Sequence, residues 1–142
     1  MYGAADRRSY GVSLEGRLGQ AYNEDAFRYF LEIERKRAAR AHRPVLLLLL
    51  DLPAAGPRID SMLAAKLFSG LWRCLRETDV VGWYREERVA GAVLTQLAAG
   101  PMPEVADEVG RRVTAGLREG LPAAVARRLQ IRVYQLGPRV KG

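Results

Sequence analysis

The strongest constraint on the fold is a run of six apolar residues, Val45–Leu50, which lies between Pro44 and Asp51. A short apolar run bounded in this way predicts a β-strand. Because every position is apolar, both faces of the strand must be covered, which is typical of a central strand. The run is also far shorter than the about 20 residues needed to span a bilayer.

In the rest of the chain, apolar residues that recur about every 3.6 positions predict helices, and apolar runs between turn residues predict strands. We predict a helix from Asn23 to Ala41, the strand Val45–Leu50, a helix over about 58–76, a hairpin of Val80–Tyr84 and Val89–Leu94, a helix from Pro103 to Gly120, a turn or short helix within Pro122–Leu129, and a strand Ile131–Leu136. Residues 1–20 lack a period and are interpreted as an N-terminal arm or linker with a short helix near Leu14–Leu18, followed by one domain over 21–142.

This order of elements predicts an α+β fold. Its centre is a palm or ferredoxin-like βαββαβ core with an additional N-terminal helix, and the sheet is antiparallel or mixed with helices on both faces. We expect Val45–Leu50 to lie between Val80–Tyr84 and Ile131–Leu136, with Val89–Leu94 on the outer side of the hairpin.

Composition excludes several classes of protein. The chain has 142 residues, enough for one domain. With one cysteine, Cys74, and one histidine, His42, it can form neither a disulfide framework nor a Cys/His zinc cluster. No apolar stretch follows Met1, so we expect no signal peptide and a soluble, cytoplasmic protein.

The charge balance favours an anionic partner. The net charge is +7, and 20 of the 23 basic residues are arginine, whose planar fork suits phosphate and guanine edges. RNA-binding sheets of this type stack bases on aromatic residues of two central strands, and Val45–Leu50 and Val89–Leu94 contain none, so we do not expect a nucleic-acid partner. The Arg35–Arg43 cluster is a solvated helix end, a second source of arginines for a dinucleotide, or a membrane-surface patch.

Palm-type catalysis needs carboxylates at the end of the first strand and on the hairpin, where they hold two metal ions. Asp51, Glu86 and Glu87 are the candidates. The alternative is that Asp51 ends a strand and that the two glutamates are solvated turn residues.

Four segments together resemble the GGDEF domain of the diguanylate cyclase family. They are Tyr22-Asn-Glu-Asp-Ala-Phe27, the strand Val45–Asp51, the run Leu75-Arg-Glu-Thr-Asp-Val-Val-Gly-Trp-Tyr84 ahead of a hairpin, and the strand Ile131–Gly137. The resemblance covers about residues 21–137 and implies a bacterial signalling domain.

The motif that names this family is replaced. Arg85, Glu86, Glu87, Arg88 and Val89 occupy the Gly-Gly-Asp/Glu-Glu-Phe positions, so side chains fill the space that glycines leave for the substrate. The family's Asn-Asp and Gly-His pairs are also absent. The resemblance therefore implies a degenerate domain that is not an enzyme and has no cofactor, with Asp51 and Glu87 as remnant metal-site candidates.

One feature of the family is retained. Many GGDEF domains carry an Arg-x-x-Asp inhibitory site that binds cyclic di-GMP just ahead of the hairpin, and Arg76-Glu-Thr-Asp79 has this form and place. The resemblance implies a regulatory module that binds cyclic di-GMP through Arg76 and Asp79. The alternative is a protein-interaction or homodimerisation domain that binds no nucleotide, with Arg76 and Asp79 as ordinary surface residues.

Overall fold

The computed structural model describes residues 21–53, 56–76, 79–97 and 100–136. Its elements are α1 Glu24–Ala41, β1 Val45–Asp51, α2 Ser61–Cys74, β2 Val80–Arg85, β3 Val89–Leu94, α3 Met102–Gly120, α4 Ala123–Ala126 and β4 Gln130–Leu136. The order of elements that the sequence predicts is confirmed. The predicted N-terminal arm 1–20, with its short helix, lies outside the described residues.

The four strands form one sheet in the order β2-β3-β1-β4. All three strand pairs are antiparallel, so the fold is the βαββαβ arrangement that the sequence predicts. The expected order of the hairpin strands is wrong, because β3 lies next to β1 and β2 lies at the edge. The burial of the two strands explains the order: β3 is buried at every position, whereas β2 ends in the exposed Arg85.

Strand β1 separates two hydrophobic clusters. Leu46, Leu48 and Leu50 face one side, where α2 and α3 cover the sheet. The alternate residues of β1 face the other side, where Phe27 and Ala38 of α1 pack on them. The predicted cover on both faces is therefore confirmed. Among the described helices, none has the length and apolar character needed to cross a membrane.

Helix α1 is bounded by the residues that the sequence marks as its ends. The side chain of Asn23 accepts a hydrogen bond from the backbone N–H of Ala26 at 2.9 Å, which caps the first turn. At the other end, His42 adopts a left-handed conformation with φ of 53°, and its N–H reaches the carbonyl oxygens of Ala38 and Ala39.

Two glycines form a recess on the α1 face of the sheet. Gly82 on β2 and Gly91 on β3 are paired across the strands. A Cβ on Gly82 would lie 2.5 Å from the carbonyl oxygen of Tyr22, whose backbone bridges β2, and a Cβ on Gly91 would lie 2.8 Å from Phe27. The chain that enters α1 can approach the sheet because these two positions lack side chains.

We predict that Gly82→Ala lowers the free energy of unfolding. The Cβ would meet backbone atoms that cannot rotate away, and overpacking of this kind costs about 1–3 kcal/mol. Urea unfolding followed by circular dichroism measures the change.

Gly110→Ala is the matched control. Gly110 lies within α3, and a Cβ there would meet Val133 at 3.7 Å, which is ordinary contact. Since glycine weakens a helix interior, this variant should gain about 0.5–1 kcal/mol. Equal stability of the two variants would contradict the role assigned to the recess.

Candidate nucleotide-binding cleft

Arg76 and Asp79 occupy the corner between the end of α2 and the start of β2. The backbone N–H of Arg76 donates to Oδ2 of Asp79 at 2.9 Å, and the N–H of Asp79 donates to the carbonyl oxygen of Arg76 at 3.0 Å. The two residues thus close a turn through their main chains. The structure brings Arg76 and Asp79 together, but the Asp79 carboxylate accepts from the backbone amide of Arg76 rather than from its guanidinium.

Asp79 has an unsatisfied acceptor. Its Oδ1 atom is buried and has no hydrogen-bond partner among the described residues. Burial raises the pKa of this carboxyl, while the backbone amides of Arg76 and Thr95 and the charges of Arg76 and Arg112 act in the opposite direction. This oxygen is closed off from solvent, so a ligand donor would reach its lone pair only after the groups that cover it move.

A cleft of about 240 Å³ opens beside Asp79. One wall consists of the α2–β2 corner and the end of β3, and the other consists of α3. Arg76 is exposed, and its Nη1 donates to Oε1 of Gln96 at 3.3 Å. The polar residues of the lining are Arg76, Asp79, Gln96, Glu104, Glu108 and Arg112.

The cleft carries both signs of charge. Glu104, Glu108 and Asp79 contribute carboxylates, against the guanidinium groups of Arg76 and Arg112. Glu108 is paired with Arg111 at 2.8 Å. Glu104 and Glu108 are exposed, so they make the α3 side of the opening unfavourable for a phosphate, whereas the half-buried Asp79 favours a group that donates hydrogen bonds.

The sequence analysis did not single out Gln96, Glu104, Glu108 or Arg112. A partial signal was present, because residues 108 and 112 lie one turn apart on α3 and therefore share a helix face. Which strand end this helix face contacts depends on how α3 packs against α2 and the sheet. The spacing of residues along one helix does not predict that packing.

The Arg35–Arg43 cluster lies at the end of α1 and just beyond it, and α1 covers the opposite face of the sheet from α3. Arg35 pairs with Glu32 at 2.6 Å, and Arg37 pairs with Glu34 at 3.2 Å, both on the surface. The structure does not bring these arginines to the cleft.

Glu86 in the hairpin turn is hydrogen-bonded to the first residue of α1. The carboxylate of Glu86 accepts from the N–H of Glu24 at 2.8 Å, and the carboxylate of Glu24 accepts from the N–H of Glu86 at 2.7 Å. These reciprocal bonds tie the turn to the first residue of α1. Burial raises the pKa of Glu86, and the nearby charges of Glu87, Glu24 and Asp25 raise it further.

Glu87 and Asp51, the remnant metal-site candidates, lie at the hairpin turn and at the end of β1. Glu87 has a φ of 58°, and its carboxylate lies 3.5 Å from Nη1 of Arg58. Asp51 ends β1, where it pairs in the ladders with Val89 and Gln130. Within the described ranges, no three acidic, histidine or cysteine residues are grouped as metal ligands would be.

Trp72 and Trp83 are both core residues. Trp83 is 1% exposed and meets Phe68 edge to face, with ring centroids 5.0 Å apart. Neither tryptophan belongs to the cleft lining.

Comparison with solved structures identifies the fold. A DGC protein from Thermotoga maritima matches with a TM-score of 0.59 and 16% identity, covering 82% of this chain and 80% of that one. The GGDEF domain of TpbB (YfiN) from Pseudomonas aeruginosa matches with a TM-score of 0.61 and 15% identity, covering 81% and 71%. This chain therefore has the palm-like fold of GGDEF domains.

PelD from Pseudomonas aeruginosa is a further structural neighbour. Its structure from residue 158 matches with a TM-score of 0.53 and 19% identity, covering 94% of this chain and 43% of that one. The same protein in complex with c-di-GMP matches with a TM-score of 0.52 and 19% identity, covering 80% and 38%. No protein-family profile matches the chain, and neither does any curated protein sequence.

We predict a pH dependence for the variant Asp79→Asn. Because the folded state raises the pKa of Asp79, it binds the proton more tightly than the unfolded chain, and the ionised carboxylate reduces stability above that pKa. At pH 7 the Asn variant should be at least as stable as the wild type. As the pH falls through the raised pKa, the wild type should gain stability relative to the variant.

Urea unfolding of both proteins at a series of pH values between 7 and 4 measures this difference. Two outcomes would contradict the burial of an ionised carboxylate. One is a stability difference that stays constant over this range, and the other is a wild type that is the more stable protein at neutral pH and loses this advantage on acidification.

Proposed function

We propose that this chain is a non-catalytic regulatory module that binds cyclic di-GMP in the cleft beside Arg76 and Asp79. The observation that carries the proposal is the buried Oδ1 atom of Asp79, which has no hydrogen-bond partner among the described residues. An acceptor in this state is costly to leave unpaired, at about 1–3 kcal/mol, and a ligand donor that reaches it recovers much of that cost.

The hydrogen-bonding groups of guanine are complementary to those of the cleft. Its N1 and N2 atoms carry hydrogens that a carboxylate accepts, and its O6 and N7 atoms accept from an arginine in a bidentate pair. Asp79 provides the acceptor. Arg76 and Arg112 provide the donors from the two opposite walls. Adenine, whose corresponding edge offers an amino group in place of O6, would lose the arginine pair.

The size and the charge of the cleft support different positions for the base and for the phosphates of the ligand. Drug-sized ligands take up about 300–1,000 Å³, whereas this cleft has about 240 Å³. One base therefore enters, and the phosphate ring lies outside over the exposed guanidinium of Arg76. The carboxylates of Glu104 and Glu108 are exposed on the α3 side of the opening, where they repel phosphate and so favour the Arg76 side for it.

The structural neighbours support this proposal. PelD has the same fold and has been solved in complex with c-di-GMP. In this chain, the Arg-x-x-Asp pair lies at the α2–β2 corner ahead of the hairpin, which is where the resemblance to GGDEF domains puts an inhibitory site.

A second candidate function is a protein-interaction or dimerisation domain without nucleotide binding. The cleft has three carboxylates and two guanidinium groups, and this excess of negative charge opposes the binding of an anionic ligand. The charge of the cleft therefore favours the second candidate. The edge of β4, with which no described residue pairs on the side away from β1, also favours it. Titration with the nucleotide separates the two candidates.

The binding prediction is tested by calorimetric titration of cyclic di-GMP. Arg76→Ala should weaken binding roughly 10- to 100-fold, the effect of losing a bidentate contact to guanine worth about 1–3 kcal/mol. Asp79→Asn should also weaken it, because an amide presents one acceptor oxygen to two guanine donors. Arg112→Ala should have an effect of the same direction.

Two controls separate specific binding from charge. Arg88→Ala removes the same charge from the exposed hairpin turn, and Asp51→Ala alters the remnant metal-site candidate; neither should change the affinity. Cyclic di-AMP, which has the same phosphate ring, should bind much more weakly. Absence of heat with the wild type well above micromolar concentration would favour the interaction domain instead.

We also predict that the chain does not synthesise cyclic di-GMP. Arg85 and Glu86 occupy the positions of the family's glycines, Arg88 replaces an acid, and the carboxylate of Glu86 is engaged with Glu24. Incubation with GTP and magnesium or manganese, followed by chromatography, measures the product. Cyclic di-GMP above a protein-free control would contradict the non-catalytic assignment.

A further inference from the structure

One edge of the sheet is open. β4 pairs with β1 over seven residues without a register shift, and among the described residues nothing pairs with its other side. The opposite edge differs, because the backbone of Tyr22 bonds to Val81 and Trp83 of β2 at 3.0 and 2.8 Å. Edge strands are usually protected by proline, bulges or several charges. β4 has none of these except the single charge of Arg132.

The two faces of β4 differ in character. Arg132 and Tyr134 lie on the α1 face and are exposed, Tyr134 to 41%. On the other face, Ile131 and Val133 form the floor of a groove of about 520 Å³ between β4 and α3. The helix wall of this groove includes Asp107 toward one end and Arg118 toward the other.

We propose that the β4 edge is a homodimer interface, in which two copies of β4 pair antiparallel across a two-fold axis and join the sheets into one of eight strands. Full pairing of the two strands would fix the register of such a dimer. Val133 is the midpoint of Gln130–Leu136, so all seven residues are paired only when Val133 lies opposite its own copy.

This register gives favourable cross-strand pairs. Arg132 of each copy lies opposite Tyr134 of the other, on the exposed face, where directly opposed side chains interact and an arginine can lie over a tyrosine ring. A shift of the centre to Arg132 would place two like charges opposite each other, which disfavours it. The Arg132–Tyr134 contact occurs twice, once on each side of the axis.

The groove on the other face has matching charges. In such a dimer, the two-fold symmetry makes α3 antiparallel to its copy. The Asp107 end of one groove therefore approaches the Arg118 end of the other. Asp107 and Arg118 therefore meet as opposite charges. Arg111 also lines the groove near the axis, where Glu108 pairs with it at 2.8 Å. The complementarity of a surface with itself is what an isologous interface requires.

The test uses analytical ultracentrifugation of the full chain without nucleotide, so that ligand-driven association plays no part. The wild type, with a monomer mass of 15.8 kDa, should sediment as a species of twice that mass at micromolar concentrations. Tyr134→Arg places arginine opposite Arg132 in both pairs, and it should raise the dimer dissociation constant at least tenfold. Both side chains are exposed, so circular dichroism should show an unchanged fold.

The exchange of the two side chains tests the register. The double variant Arg132→Tyr with Tyr134→Arg rebuilds the same pair with its members exchanged, and it should restore most of the dimer. Tyr29→Arg, at an exposed tyrosine of α1, is the control that should leave the dimer unchanged. A wild type that is monomeric at 100 micromolar and above would overturn the proposal. Tyr134→Arg that leaves the mass unchanged, or a double variant that stays monomeric, would overturn it too.

Discussion

The two-sided burial of β1 is the constraint on which the rest of the structure depends. Every residue of Val45–Leu50 is at most 6% exposed. Full burial of one leucine side chain contributes about 1.5–3 kcal/mol, so this strand alone contributes an amount comparable to the net stability of a small domain. An apolar strand of this kind cannot lie at an edge or leave a face open. Helix α1 is therefore needed on one face, and α2 and α3 are needed on the other.

The hairpin turn is joined by hydrogen bonds to the first residue of α1 and to the segment that leads into α2. Glu86 and Glu24 satisfy each other's backbone N–H groups, and the carbonyl oxygen of Glu87 accepts from the N–H of Ile59 at 2.7 Å. The turn thereby fixes the start of α1 and the approach to α2.

The sequence predicts the elements well because local signals mark their ends. Asn23 and Asp60 are helix caps in the structure, and Pro44 follows the end of α1 as expected. The order of the hairpin strands was predicted wrongly, because Val80–Tyr84 and Val89–Leu94 are similarly apolar and a hairpin can be placed either way round. The placement is decided by packing: the small residues of β3 fit between β1 and β2 under the helices. Gln96 and Arg112 were missed for a related reason, since only the fold brings distant segments to one cleft.

The corner that holds Arg76 and Asp79 links the fold to the proposed site. Because Leu75 leaves the helical conformation, the chain turns back and the side chain of Asp79 points inward, where main-chain amides stabilise one oxygen and leave the other without a partner. A surface ion pair between Arg76 and Asp79 would have satisfied both groups and left neither for a ligand. Instead, the guanidinium reaches Gln96 and remains exposed, and the carboxylate remains desolvated. A donor and an acceptor kept apart in this way can be bridged by a single planar base that has both kinds of group on its edges.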